Sequence, residues 1–147
     1  MTSTAANSSI DIASRALVLI GAEPITSFDS SSTEALVASN MYEDTVRATL
    51  STARWRFATE QSQLSQLTDT PTGRFDLAHQ LPSNLLVLHG VTINDRLINY
   101  TVYGDKVFSD STTADVLIAD YTFRATEDNF PSYFSLALEY ALASIFA

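Results

Sequence analysis

Few residues in this chain could carry chemistry. His79 and His89 are its only histidines, and either could serve as a general base or a metal ligand. A base needs an acid, a nucleophile or an orienting carboxylate held against it. Only Asp76 lies near either histidine in sequence, and three steps along a strand place it on the opposite face from His79. Both histidines therefore read as surface or strand-edge residues. Asp105, Asp110, Asp115 and Asp120 recur every five residues. No calcium loop has that spacing around a central glycine, and steps of five switch strand faces, so these read as solvated hairpin carboxylates. There is no cysteine, hence no disulfide framework, no thiolate nucleophile and no cysteine-held metal. The four glycines are isolated, so no Gly-rich loop cradles a phosphate, and no serine sits in a G-x-S-x-G turn. These residues point away from an enzyme and call for no cofactor and no metal.

Charge narrows the class further. The chain has 8 Lys plus Arg against 17 Asp plus Glu, a net charge of −9. Proteins that grip DNA gain affinity by neutralising phosphates, and this chain has little to do that with. An acidic wall can still face DNA when the task is to let it slide past. Only 17% of residues are charged, and Ser and Thr supply much of the polar surface, a pattern that favours burying surface against partners. The start lacks a basic region before an apolar run, and no apolar run approaches the roughly 20 residues that cross a bilayer. A cytoplasmic, membrane-free setting is expected.

One short stretch stands out. In "STARWRFATEQ", residues 51 to 61, Arg54 and Arg56 flank Trp55, the sole tryptophan, with Phe57 next. Two readings compete: a helix end whose carbonyls are charge-capped by the arginines, with Trp55 and Phe57 plugging a core, or a phosphate or subunit contact.

The elements that must position these residues follow from periodicity. Ile10, Ala13, Leu17 and Ile20, with Ala16 beside them, mark a first helix, with Ser8 or Ser9 as cap, Gly21 as stop and Pro24 preventing resumption. Ser31 with Glu34 reads as a capping box opening a second helix over about Thr33 to Trp55. Its face is Ala35, Ala38, Tyr42, Val46, Leu50 and Ala53, with Asp44 able to pair with Arg47. From about residue 74 the period changes. Segments rich in Val, Ile, Tyr, Phe and Thr, separated by Pro82, Asn94-Asp95 and Gly104-Asp105, read as an antiparallel meander of four or five strands, with Ile98, Tyr100 and Val102 on one face. The last segment is a helix capped by Asp128 or Asn129, with Pro131 in its first turn and a stripe of Phe134, Leu138, Ala141, Leu142 and Ile145. The fold expected is α+β: a helical bundle of two N-terminal helices and a C-terminal return helix with an inserted β-meander. It is one domain over 1–147, with a flexible start at 1–8, a helical part at 9–67, a β-rich part at 74–123 and a return helix at 128–147 that runs out of chain without a stop signal.

The ordered set of these signatures is more specific than its parts. A first helix ends in "ALVLIGAEPITSFD", with Gly21 and Pro24. A long helix ends in "ARWRFA", with Trp55 and Phe57. "LPSNLLVL", with Pro82, starts a strand, and "FPSYFSLALEYALA" closes the chain. Together they resemble the head-to-tail adaptors of tailed bacteriophages, the tail tubular protein A or gatekeeper group, over about Ile10 to Ala147. The family usually continues past this return helix.

The resemblance implies a virion protein without chemistry. Such adaptors form a homo-oligomeric ring, commonly of twelve subunits, below the portal protein. The ring docks the tail nozzle and tail fibres and continues the channel through which DNA leaves without specific binding. Another tail component, such as a stopper or tail-terminator ring protein, is the competing reading, with a small enzyme behind it. Arg54, Arg56, Phe28, Phe134 and Tyr140 are the candidate subunit or partner contacts. Gly21, Pro24, Trp55, Phe57 and Pro82 are the structural signature. The strand-rich part is expected to meet the nozzle or fibres, and the helical part to build the ring and meet the portal.

Overall fold

In the computed structural model, which describes residues 5–68, 71 and 73–147, the first helix, α1, runs Ser9–Leu19. Ser8 caps it, its hydroxyl accepting from the Asp11 N–H at 3.2 Å, while the Asp11 carboxylate lies in the first turn, where the helix dipole favours an anion. At the far end Ala22 N–H donates to the Leu17 carbonyl and Gly21 N–H to that of Val18. With Gly21 at φ 79 this is a Schellman closure, in the left-handed conformation that glycine adopts without strain. The buried side is Ile12, Ala13, Ala16 and Leu17 rather than the expected line from Ile10 to Ile20, whose two ends are half-buried and exposed. Ser14 fastens the loop that follows. Its hydroxyl donates to the Ile25 carbonyl at 2.8 Å and accepts from the Ile25 N–H at 3.2 Å, which holds Ile25 in the core.

The second helix, α2, spans Thr33–Ser51. Its cap is Ser32, which accepts from the Ala35 N–H at 3.1 Å, so the expected Ser31–Glu34 box is shifted by one residue. Ala35, Ala38, Tyr42, Val46 and Leu50 are buried as their spacing requires, and Thr45 joins them. Arg47 pairs with Glu43 at 2.7 Å, one turn away, instead of with Asp44. The helix stops four residues short of Trp55, which leaves Ala53 exposed.

The third helix, α3, is Ser132–Phe146. A 3-10 turn at Glu127–Asn129 intervenes before it, so Asp128 and Asn129 are not its caps. Pro131 takes that place without a side-chain hydrogen bond. α3 packs against both α1 and α2, and with them it makes one compact unit of Met1–Phe57 and Ala125–Ala147. Phe134, Leu138 and Leu142 of the expected stripe are buried; Ala141 is half-buried and Ile145 exposed. The first four residues of the expected flexible start lie outside the described residues, while Ala6 is buried.

The second unit is Ala58–Arg124, all antiparallel strands. One sheet has the order β1-β8-β4-β5, from Thr59–Gln63, Ile118–Phe123, Leu85–Ile93 and Arg96–Leu97. The other has the order β2-β3-β7-β6, from Ser65–Gln66, Leu77–Gln80, Lys106–Ser109 and Thr101–Tyr103. The fold is α+β, as expected, but the single meander is replaced by two four-stranded sheets. The reason is long-range pairing. β8 inserts between β1 and β4, matching Thr59 with Thr122 and Thr92 with Ile118. Residues 59–66, read from sequence as the tail of the helical part, are recruited as β1 and β2. The turn expected at Pro71 and Gly73 falls partly outside the described residues.

The two hairpin signals hold. Asn94 and Asp95 both have positive φ, 51 and 65, as a two-residue type I′ turn between β4 and β5 demands. Gly104, at φ 63, opens the two-residue turn between β6 and β7. Leu64, Leu81, Val91, Val107, Leu117, Ala119 and Tyr121 form the core of this unit. Ile98 and Tyr100 pack on it from outside any strand, but Val102, expected on the same face, is exposed.

Candidate functional site

The end of α2 is built from hydroxyl residues. Thr49 donates to the Thr45 carbonyl at 2.7 Å, Ser51 to that of Arg47 at 2.8 Å and Thr52 to that of Thr49 at 2.7 Å. The indole N–H of Trp55 then reaches back to the Thr49 carbonyl at 3.0 Å. Of these acceptors only the Thr49 carbonyl belongs to the last four of the helix, and it is met by the Thr52 hydroxyl and by tryptophan, not by charge; the Thr49 and Ser51 hydroxyls bond back within the helix. This corrects the expectation for the arginines: Arg54 lies beyond the helix and Arg56 opens a 3-10 turn, Arg56–Ala58. Both are exposed, and among the described residues neither has a hydrogen bond or ion pair.

Trp55 and Phe57 do plug the helical unit. Trp55 meets Phe134 edge-on at 5.0 Å and stacks on Tyr133 at 6.2 Å. Phe57 lies 4.9 Å from Phe134, and Phe130 lies 4.7 Å from Phe134. Phe134 is therefore the hub of an aromatic cluster with 0% exposure, and the structure removes it from the candidate contacts. Phe28 is half-buried against Tyr42 at 5.5 Å. Gly21 and Pro24 shape an exposed turn, and Pro82 accepts from the Leu85 N–H at the start of β4.

Tyr140, 63% exposed, belongs to a larger feature. Val18 and Leu19 of α1 and Leu136 and Tyr140 of α3 are exposed large apolar residues that line a hollow of about 350 Å³. A second hollow of about 230 Å³ is lined by Ala5, Ala6, Ser132 and Ser135. The two share Arg15, Leu136 and Glu139. Glu139 is 3% exposed, and its Oε1 has no hydrogen-bond partner; the Ser135 hydroxyl, one turn earlier and 6% exposed, has none either. Burial raises the Glu139 pKa above its ordinary value, and the positive charge of Arg15 offsets part of that. Sequence reasoning missed Glu139 and Ser135. The available signal was that Glu139 is the only charged residue in α3.

The other chemistry-bearing residues do not converge. His79 is not on the surface: it is 1% exposed, its Nδ1 has no partner, and burial lowers its pKa. Nor does it lie on a sheet edge, because β3 sits between β2 and β7. His89, half-buried, meets the Thr122 hydroxyl at 2.7 Å. Asp105 is exposed in its hairpin, where the Gln80 amide and then Lys106 hold its carboxyl below the usual range. Asp115 accepts from the Thr112 N–H at 2.9 Å, closing a turn. Among the described residues no three His, Cys, Asp or Glu side chains group as a metal site, and no helix is long and apolar enough to cross a membrane.

A family model described as tail tubular protein matches residues 11–126. No curated protein matches the chain.

Proposed function

The chain belongs to the tail tubular protein family, structural components of the phage tail, and from that premise we propose that it is the ring-forming head-to-tail adaptor of its virion. In this reading residues 1–147 act as one adaptor domain. About a dozen copies close into a ring on the portal protein, and the ring receives the tail nozzle and fibres. The helical unit builds the ring and meets the portal; the strand unit meets the nozzle or fibres. Arg54, Arg56, Phe28 and Tyr140 lie at or near the contacts. The observation that carries the reading is α3. Phe134, Leu138 and Leu142 bury one side of it, yet Tyr133, Leu136, Tyr140 and Ile145 leave the other side apolar and exposed. A helix that is apolar all round is one that other protein covers.

The charge suits a conduit. A net charge of −9 per copy, repeated around a ring, repels the DNA backbone and keeps the genome mobile. The test is to mix the purified chain with the portal ring of the same genome and image the product by negative-stain electron microscopy. A second ring stacked on the narrow end of the portal is the expected result. Binding to tail tubes instead would make the chain a stopper or terminator.

A further inference from the structure

The helical unit presents a buried acid short of a partner and two exposed cations short of partners. Glu139 Oε1 and the Ser135 hydroxyl are both buried and without hydrogen bonds, on successive turns of α3; Glu139 lines both hollows and Ser135 the second. Buried polar atoms nearly always have partners, and a buried carboxylate with an open oxygen is costly unless something covers it. Arg15 already lies close enough to Glu139 to act on its charge and still leaves Oε1 open. What fits is a donor that arrives from outside, carried by a surface that also covers Val18, Leu19, Leu136 and Tyr140.

The chain itself holds such a donor. Arg47 and Lys106 are paired, and Arg74 sits 5.2 Å over the Phe75 ring. Arg54 and Arg56 are exposed, without ion pairs, and next to the amphipathic Trp55. A guanidinium offers a planar fork of N–H donors that matches a carboxylate and can spare one for a hydroxyl. We propose that a second copy of this chain docks its Arg54–Arg56 segment over the two adjoining hollows that share Glu139, the one lined by Val18 and Tyr140 and the one lined by Ser135, making this the subunit contact. The donor and acceptor patches are different surfaces of one chain, so the contact is heterologous, the kind that closes into a ring by rotation. The inference rests on the ring reading above and names the two surfaces that meet.

Because the chain has no cysteine, disulfide trapping reads this contact directly. Val18→Cys marks the acceptor hollow and Ala53→Cys the donor segment; both are exposed and conservative in size. The two single-cysteine proteins are mixed and oxidised, alone and on the portal ring. The expected product is a Val18–Ala53 cross-link between two copies, seen in the mixture and in neither protein by itself. Arg54→Glu with Arg56→Glu should abolish that product and weaken self-association by about tenfold or more, whereas Arg96→Glu, at another exposed arginine with no ion pair among the described residues, should not. Rings of normal size without the cross-link would overturn the contact while sparing the adaptor reading. So would capture of Val18→Cys by a portal chain, or loss of assembly from Arg96→Glu instead. A chain that forms no ring under either condition would sink both.

Discussion

The indole N–H of Trp55 donates to the main-chain carbonyl of Thr49 at 3.0 Å, six residues back along the chain. One side chain therefore closes α2 and seats the aromatic cluster around Phe134. Trp55→Phe keeps a ring against Phe134 and loses only the donor, so it should cost about 1 kcal/mol. Trp55→Ala also strips the ring contacts and should cost about 3 kcal/mol, the low end for a large aromatic because the ring is half-exposed. Urea unfolding followed by circular dichroism separates the two. Equal losses would mean that the hydrogen bond alone carries the contribution.

The same geometry makes the neighbouring arginines dispensable for folding. Arg54→Ala and Arg56→Ala should each leave the unfolding free energy of the isolated chain within about 0.5 kcal/mol. A loss well beyond that would show that their charge does stabilise the helix end.

The caps give a sharper local contrast. Ser32→Ala removes the acceptor for the Ala35 N–H and should cost about 1 kcal/mol, while Ser31→Ala should cost a few tenths at most. Gly21→Ala forces a Cβ into the left-handed conformation at φ 79 and should cost about 1–2 kcal/mol, although open space surrounds the site. Thermal melts of the three variants, each against the parent chain, check the order.

These residues also show where sequence was informative. Gly21, the Asn94-Asp95 pair and Gly104 act through their own backbone angles, so their turns were legible without any partner. The face of α2 from Ala35 to Leu50 followed from spacing. Residues 59–66 were not legible: Gln61, Ser62 and Gln63 have no strong preference of their own and become a strand because β8 supplies Asp120, Ala119 and Ile118 to pair with them. The α2 end was misread because two arginines outweighed a run of hydroxyls in a one-dimensional reading, while only the fold brings Trp55 back to Thr49. Phe134 was assigned to a contact surface because periodicity marks an apolar face without saying which side of an all-apolar helix is covered. Glu139 passed unnoticed because its importance is that Oε1 lacks a partner, a property of the packed unit.

His79 should make the fold sensitive to acid. Burial lowers its pKa, so between the ordinary value of 6.5 and the lower native value the unfolded chain binds a proton that the native chain refuses. Stability contributed at this site is therefore intact above about pH 6.5 and falls as the pH drops through that window. His79→Leu removes the titration. The stability of the parent chain relative to this variant, measured by urea midpoints between pH 5 and pH 7.5, should decline on the acid side. A difference independent of pH would show that the ring protonates freely in the native state.

Glu139 should act with the opposite sign. Burial raises its pKa, so between 4.5 and the higher native value the native chain holds a proton that the unfolded chain has released. Its contribution is greatest below about pH 4.5 and is lost as the pH rises through the native value, after which the isolated chain carries the full cost of a buried charge. Relative to the parent, Glu139→Gln should therefore become more stable as the pH rises, then level off. Assembly reverses the demand. A guanidinium set against the carboxylate favours its ionised form, so subunit association should release a proton and tighten as the pH rises through the same window. Sedimentation of the parent chain across that range should show the tightening, and Glu139→Gln should assemble more weakly with no such pH dependence. If the parent and Glu139→Gln associate alike at every pH, the carboxylate takes no part in the contact.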